Sequence, residues 1–474
     1  MNTIRIQTLG CRLNQIESES IGRLFIEKGF SVSMDVVTSQ SDEDFNTVLC
    51  IVNTCTVTQK SEQKARRIIR LLLKKYPESA IIVTGCYAQL APKEISEIDS
   101  RIAVVGGQIK SRLEKVPELL FSELEKSSFN KIHFVSIINE KISLAPNEKK
   151  DFPENSFILS TSSFINHSRA SLKIQDGCNN NCSYCAIHIA RGHSVSIDVK
   201  TAVDRVKLLE KNGQDEVVIT TVNIGQYKSE YLGKTYNFAK LLKLMLECTN
   251  RINFRISSLY PEIVDDEFCE VIKNPRVRPH FHISVQSGSN KILGAMNRVY
   301  KAETVLNACR KLSEVKDKPF LACDIITGFP GETEEDFEQT MKLCQECNFS
   351  WVHAFPYSER PGTIAASMKN KVPQSVSGER AKKLTDWAIQ QKIDYVNSFA
   401  GKEVPAILET VRRPSVLVKN SQKIIYHAVT ENFIHCEIVS EKKLESNKAI
   451  NIKIIKALEE RIVKGGEIEA QGMI

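Results

Sequence analysis

The chain has 474 residues, a formal net charge of +7, 42% hydrophobic residues and 26% charged residues. That length supports two to four domains with sizeable cores, and that balance excludes a disordered or fibrous chain. No charged-then-apolar leader pattern opens the chain and no apolar run reaches membrane-spanning length. A cytoplasmic protein without a membrane partner is expected, its 14 cysteines kept as thiols or metal ligands. The mild basic excess permits an RNA partner without requiring one.

In chain order, residues 1–125 alternate strand and helix patterns. Residues 4–8 read as a strand, and 14–28 as an amphipathic helix closed by Gly29. Apolar runs at 48–52 and 80–84 have the composition of buried parallel strands, and 104–105 mark one more. The expected fold class is α/β, beginning with a doubly wound parallel-sheet domain. Cys11, Cys55 and Cys86 each fall just beyond one of these strands. In an open parallel sheet the carboxyl ends share one edge, where ligands bind, so these three thiols should converge on one crevice. Independent structural cysteines are the plainer alternative. The helical stretch 59–75 carries Lys60, Lys64, Arg66, Arg67, Arg70, Lys74 and Lys75 against Glu62 alone. It suits either a solvated face or a phosphate-contacting surface.

Residues 126–165 turn to Ser, Asn, Lys, Glu and Pro and read as a linker with weak strands. From 166 to 400, strands near 171–175, 216–221, 252–257, 280–285, 320–326 and 351–356 alternate with helices at 198–211, 238–248, 265–273, 301–312 and 333–347. Such βα repeats indicate a parallel barrel or partial barrel. Thr333 with Asp336 supplies the Ser/Thr-x-x-acid form of a helix start.

Directly after the first of these strands comes Cys178-x3-Cys182-x2-Cys185. Three thiolates in one tight loop can hold three corners of an iron–sulfur cluster and leave one iron open for a non-protein ligand. A structural zinc site needs four closed ligands; His188 is the nearest fourth candidate, and the loop would have to fold back sharply to deliver it. Other strand ends carry Gln286-Ser287-Gly-Ser289, Gly328-Phe-Pro-Gly331-Glu332 and Phe355-Pro-Tyr357-Ser358, with Arg360-Pro-Gly362-Thr363 following. Cys344 and Cys347 have redox-motif spacing but sit late in a helical pattern, where core packing is the better reading, as it is for Cys50, Cys248, Cys269, Cys309, Cys323 and Cys436. Residues 401–474 hold short strand patterns at 404–410, 415–419, 424–429 and 451–457, which suggest a small β-barrel.

The loop of Cys178, Cys182 and Cys185, with Tyr184 before its last cysteine, resembles the signature of the radical S-adenosylmethionine (radical SAM) enzymes. Gly10-Cys11 with Asn14, Asn53-Thr-Cys55 and Gly85-Cys86 resemble the N-terminal domain of the radical SAM methylthiotransferases. That family joins such a domain to a radical SAM partial barrel and a small RNA-binding barrel called TRAM. The resemblance implies domains at 1–125, 166–400 and 401–474 joined by a linker at 126–165. Thr8-Leu9-Gly10-Cys11 and Asn53-Thr-Cys55-Thr-Val-Thr58 are most like the branch acting on threonylcarbamoyladenosine in tRNA. The isopentenyladenosine branch usually has Tyr-Gly-Cys in the first motif, and the branch acting on a ribosomal-protein aspartate has Ser-Leu-Gly-Cys-Pro. This chain departs from the family at His188, Tyr260 and Ser284, where Pro, Glu and Pro are usual, and in lacking a second basic residue soon after Arg191-Gly192.

What the resemblance implies is methylthiolation of tRNA, C2–H becoming C2–SCH3 on the adenosine at position 37, beside the anticodon. Cys178, Cys182 and Cys185 would hold a 4Fe–4S cluster that cleaves S-adenosylmethionine, and Cys11, Cys55 and Cys86 a second 4Fe–4S cluster from which sulfur is delivered. Tyr184, Gln286, Ser287, Gly328, Gly331, Phe355 and Tyr357 would lie along the S-adenosylmethionine. The expected partners are the tRNA anticodon stem-loop and a reductant such as flavodoxin or ferredoxin. The same chemistry on isopentenyladenosine-37 or on a ribosomal-protein aspartate, an iron–sulfur RNA-binding regulator without turnover, and a zinc-binding structural protein are the rival readings.

Overall fold

The computed structural model describes residues 2–126, 129–143, 152–159, 169–409 and 424–474. The chain divides into two compact units. The first comprises Met1–Asn166, Lys173–Ile197 and Ser358–Ala366; the second comprises His167–Leu172, Asp198–Tyr357 and Ser367–Ile474. No helix among the described residues is long and apolar enough to cross a membrane.

The first unit is built on a five-stranded parallel sheet. Its order is Ser31–Ser33, Thr3–Thr8, Thr47–Thr54, Ala80–Gly85, Ile102–Gly106. Successive side chains of a strand point to opposite faces, and here both faces are covered. Ile51 and Ile82 join one core with Ile21 and Phe25; Cys50, Val52, Ile81 and Val83 join another with Ile68, Ile69 and Leu72 of helix Gln59–Lys75. That two-sided burial explains why the central strands read as unbroken apolar runs. The helix Gln59–Lys75 starts where the Thr58 hydroxyl accepts from Ser61 N at 3.2 Å, and Ala65, Ile68, Ile69 and Leu72 form its buried stripe.

The stretch read as a linker with weak strands contains the helix Lys131–Lys141 instead. Asn130 caps it, its side-chain oxygen accepting from Ile132 N and His133 N at 3.0 Å. Phe134, Val135 and Ile138 then pack into the core beside Val105 and Leu113. A few apolar residues at helical spacing outweighed the polar composition around them. The polar tracts 144–151 and 160–168 lie outside the described residues.

The six expected strands form as Ala170–Lys173, Glu216–Thr220, Asn253–Ile256 continuing into Ser258–Leu259, His280–Gln286, Phe320–Thr327 and Trp351–Pro356, all in the second unit except Lys173. They fall into a three-stranded sheet and a four-stranded parallel sheet, the strand of residues 253–259 dividing between them. Thr333 and Asp336 make the reciprocal capping box that opens helix Glu334–Glu346. The long helix Gln374–Asn397 and the strands His435–Ser440 and Ala470–Met473 had no clear apolar signal and were not expected. The last two close a five-stranded barrel with Glu403–Leu408, Ile424–Thr430 and Ala449–Ala457. The strand expected at 415–419 lies outside the described residues.

Candidate functional site

The strand order of the first unit's sheet reverses direction between Thr3–Thr8 and Thr47–Thr54, and in doubly wound sheets ligands bind at that switch point, outside the carboxyl ends. Cys11 and Cys55 follow these two strands, and Cys86 opens the short helix after Ala80–Gly85. The turns bring them together. Gly10 has φ +98°, and a Cβ there would stand 2.5 Å from Cys55 Cβ and 2.8 Å from its Sγ. Gly85 has φ +100°, and a Cβ there would lie 2.3 Å from Thr54 O. Only glycine permits both approaches. Asn14 Nδ2 donates to Leu9 O at 2.8 Å and Thr54 O at 3.0 Å, while Thr54 Oγ1 donates to Thr84 O at 2.6 Å. The small polar residues beside the cysteines therefore tie the three turns into one floor. Burial, joined by the neighbouring thiols of Cys86 and Cys11, pushes the Cys55 thiol up to about 11; burial also raises Cys86, opposed by Arg191 and Lys110.

Cys178, Cys182 and Cys185 occupy a loop pinched at its base. Gln175 and Asp176 pair antiparallel with Ser196 and Val195, and Cys178 N donates to Gly192 O at 3.0 Å. Gly177, at φ +67°, stands where a Cβ would lie 2.0 Å from His193 O. Inside the loop, Asn180 N points at Cys178 Sγ and Ile187 N at Cys185 Sγ, each at 3.4 Å. Such backbone donors favour the thiolate over the thiol. Tyr184 is half-buried in the same loop. His188 sits in the helix Ile187–Arg191, its imidazole held below the usual range by burial.

Both cysteine loops belong to the first unit, and a buried ionic network joins them. Arg191 Nη1 meets Asp176 Oδ1 at 2.8 Å and Glu17 Oε1 at 3.3 Å, and its Nη2 donates to Asn14 Oδ1 at 2.9 Å. Lys173 Nζ reaches Glu17 Oε1 at 2.9 Å and also pairs with Asp176. Lys110 pairs with Glu17 and donates to Asn53 Oδ1 at 2.9 Å. All five charged side chains are buried. Burial alone would lift the Glu17 carboxyl, but Lys110, Lys173 and Arg191 hold it well below the usual carboxylate range.

A second tie comes from residues 358–366. Arg360 donates to Thr56 Oγ1 at 3.0 Å and pairs with Glu62, beside Cys55; Ala365 N donates to Ser183 O at 2.7 Å, inside the second loop. The buried Arg360 Nε and Nη1 have no hydrogen-bond partner among the described residues. Sequence reading missed Glu17, Lys110, Lys173 and Asp176 because the network that gathers them joins Glu17 to Lys110, Lys173 and Arg191, far away along the chain.

The donor set fits a pair of iron–sulfur clusters. Each triad offers three thiols, and the buried cations Arg191 and Lys110 act on Cys86, where they offset thiolate charge.

The remaining expected contacts lie in the second unit. Phe355 is 45% exposed and Tyr357 half-buried. Ser287 is buried, with its hydroxyl 3.4 Å from Thr340 Oγ1, so its side chain braces the turn. Gly328 has φ +71°, and a Cβ there would lie 1.8 Å from Ser377 Oγ, so this glycine admits helix Gln374–Asn397. Gly331, at φ +86°, has open space around it, and Gln286 takes the unusual φ of +70° at the end of its strand. Cys309, Cys323, Cys344 and Cys347 are all buried, as core packing requires.

Family comparison agrees with this geometry. Residues 172–344 match the radical SAM superfamily, and residues 3–107 match the uncharacterized protein family UPF0004. The threonylcarbamoyladenosine tRNA methylthiotransferase of Treponema pallidum is 38% identical, over 96% of this chain and 98% of its own. The tRNA-2-methylthio-N(6)-dimethylallyladenosine synthase of Wolbachia pipientis is 29% identical, over 96% and 98%. The radical S-adenosylmethionine methyltransferase TsrM of Kitasatospora setae shares the fold, with a TM-score of 0.53 at 14% identity and 77% of each chain covered. By its similarity along nearly its whole length, the chain belongs to the radical SAM superfamily and, within it, to the threonylcarbamoyladenosine tRNA methylthiotransferase family.

Proposed function

We propose that the protein is a radical SAM methylthiotransferase converting C2–H of N6-threonylcarbamoyladenosine at tRNA position 37 to C2–SCH3. The observation that carries this reading is the pair of three-cysteine loops tied together in one compact unit by Glu17, Asp176 and Arg191. One triad suffices for a radical enzyme; two in one unit fit sulfur insertion. Cys178, Cys182 and Cys185 would hold the cluster that binds S-adenosylmethionine, and Cys11, Cys55 and Cys86 the auxiliary one. When bound, these groups supply what side chains lack: a reductively generated radical for an aromatic C–H bond, a methyl group and a sulfur atom. The chain's own residues hold the two sites in fixed register, with Asn14 and Arg191 linking one loop to the other and Arg360 bracing the Cys55 turn. The division at about residues 125, 165 and 400 is the functional one in this reading.

A nucleic-acid substrate is supported by helix Gln59–Lys75. Lys60, Lys64, Arg67, Arg70 and Lys74 are exposed along one side of it and make no ion pair among the described residues. Arg66, by contrast, is paired with Glu94 at 2.9 Å. The row starts five residues beyond Cys55 and suits a phosphate backbone. A cytoplasmic location and a reductant such as flavodoxin or ferredoxin accompany the reading. Nucleoside mass spectrometry of tRNA from a strain lacking the protein tests it. Loss of 2-methylthio-threonylcarbamoyladenosine is expected; unchanged levels would overturn the assignment.

A further inference from the structure

One side chain of the first unit has a hold on both cysteine loops. Arg191 ends the helix Ile187–Arg191 that follows Cys185. The carbonyl of the next residue, Gly192, accepts from Cys178 N at 3.0 Å, so the Arg191 backbone is one residue from the bond that pinches the loop. Its Nη1 meets Asp176 Oδ1 at 2.8 Å, and the same oxygen accepts from Gly177 N at 2.8 Å, at the entry to that loop. Its Nη2 donates to Asn14 Oδ1 at 2.9 Å. Asn14 in turn holds the carbonyls of Leu9 and Thr54, just before Cys11 and Cys55. The helix Cys86–Leu90 packs against Ile187–Arg191. All of these residues belong to the first unit.

The charges around this bridge do not balance. Lys110, Lys173 and Arg191 face only Glu17 and Asp176 among the described residues. Burial opposes the Arg191 charge; Asp176 and Glu17, then Cys86 and Cys11, sustain it. Thiolates at Cys86 and Cys11 would neutralise the surplus and fix the guanidinium where it stands. A fixed guanidinium holds Asp176 and Gly192, which shape the base of the Cys178 loop. The alternative is direct action at a distance. Two clusters, each held by three thiolates, are both net negative, so on their own they repel and each opposes the binding of the other. A shared buried cation reverses that sign.

We propose that Arg191 couples the two triads, so that a cluster in either one tightens the hold of the other. The inference rests on the two-cluster reading above and adds how the pair assembles: the second cluster enters a site that the first has already firmed. Coupling between sites is reciprocal, so the effect runs in both directions. Arg191 is a positioning residue here, with Asp176 as its contact in one loop and Asn14 as its contact toward the other.

The test uses full-length protein reconstituted anaerobically with iron and sulfide. Wild type is compared with two triple variants, Cys11→Ala/Cys55→Ala/Cys86→Ala and Cys178→Ala/Cys182→Ala/Cys185→Ala. Iron release to a chelator is followed by absorbance, and electron paramagnetic resonance of reduced samples shows which cluster remains in wild type. Each lone cluster should be lost roughly tenfold faster than the same cluster in wild type, within the usual range of coupling between sites. Arg191→Lys keeps the charge, but its single ammonium cannot meet Asp176 and Asn14 together as the fork does. In that background the difference should shrink to about twofold or less, and Asn14→Ala, which cuts the bridge at its other end, should do the same. Circular dichroism melts and iron content check that each variant is folded and loaded. Lone clusters as durable as paired ones, or more durable, overturn the coupling and leave the two-cluster reading intact. An undiminished difference in folded, loaded Arg191→Lys and Asn14→Ala proteins overturns the role of Arg191. Wild type that holds no more iron than either triple variant overturns the two-cluster reading, and this inference with it.

Discussion

The two units each bury an ionic network around one glutamate, and the networks differ in charge. In the second unit Glu216 faces Arg255 at 2.8 Å, Arg278 at 3.0 Å and Arg169 at 3.7 Å. Arg278 also meets Glu431 at 3.3 Å and Arg169 meets Glu409 at 3.4 Å. Arg255 adds bonds to the carbonyls of Thr430 and Glu431, both at 3.0 Å. Three arginines and three glutamates balance, and the network rivets the parallel sheet to the terminal barrel. In the first unit Lys110, Lys173 and Arg191 outnumber Glu17 and Asp176. The surplus cation lies toward Cys86 and Cys11. A buried surplus charge is costly unless something offsets it, and cysteines that become thiolates on binding iron are its natural complement. One network is closed and structural; the other is completed by the site it serves.

The largest effect should come from breaking the closed network. Glu216→Gln leaves three arginines without their carboxylate and should cost about 3–5 kcal/mol, read as a lowered Tm. Its neighbours hold the Glu216 carboxyl at about 2 against an ordinary value near 4.5. A carboxyl lowered by folding adds stability above its unfolded value and loses it as pH falls through the folded one. Stability should therefore drop by about 3 kcal/mol between pH 5 and pH 2 in wild type, and this component should vanish in Glu216→Gln. An unchanged acid limb in the variant would refute the rivet.

Arg191→Met tests the open network. Removing the surplus cation should cost about 2 kcal/mol from broken hydrogen bonds, less than Glu216→Gln, yet should hurt cluster loading more. Iron and sulfide per chain should fall to the level of a Cys86→Ala variant, whereas Glu216→Gln should keep both near wild type under conditions where it stays folded. Equal iron loss in the two variants would erase the distinction drawn here. The smallest effect on stability is expected at the exposed row of helix Gln59–Lys75. Lys64→Ala and Arg67→Ala should leave Tm unchanged and reduce the salt slope of RNA binding by about 1 for each cation removed. Unaltered slopes would free that helix from any role in RNA binding.

These regions also differ in how legible they were. Strands such as Thr47–Thr54 and Ala80–Gly85 announce themselves because both faces are buried, and the capping box at Thr333 and Asp336 is local chemistry. The six cysteines stood out because each follows a strand or shares a loop. The ionic networks did not: Lys173 and Glu17 are 156 positions apart, and a lone charge in a strand or helix reads as surface until its partner is known. Helix Lys131–Lys141 was hidden by polar neighbours, and helix Gln374–Asn397 by a mixed face in which Arg380 and Lys392 are buried.

The segment Ser358–Ala366 has a consequence for biosynthesis. It is part of the first unit, but the intervening stretch 198–357 belongs to the second. At roughly 5–20 residues per second, a ribosome needs on the order of ten to thirty seconds to make that stretch. Until then Arg360 is absent, and the Cys55 turn lacks its brace at Thr56 and Glu62. The turn that carries Cys55 is therefore fully braced only after strand Trp351–Pro356 and the segment behind it have been made.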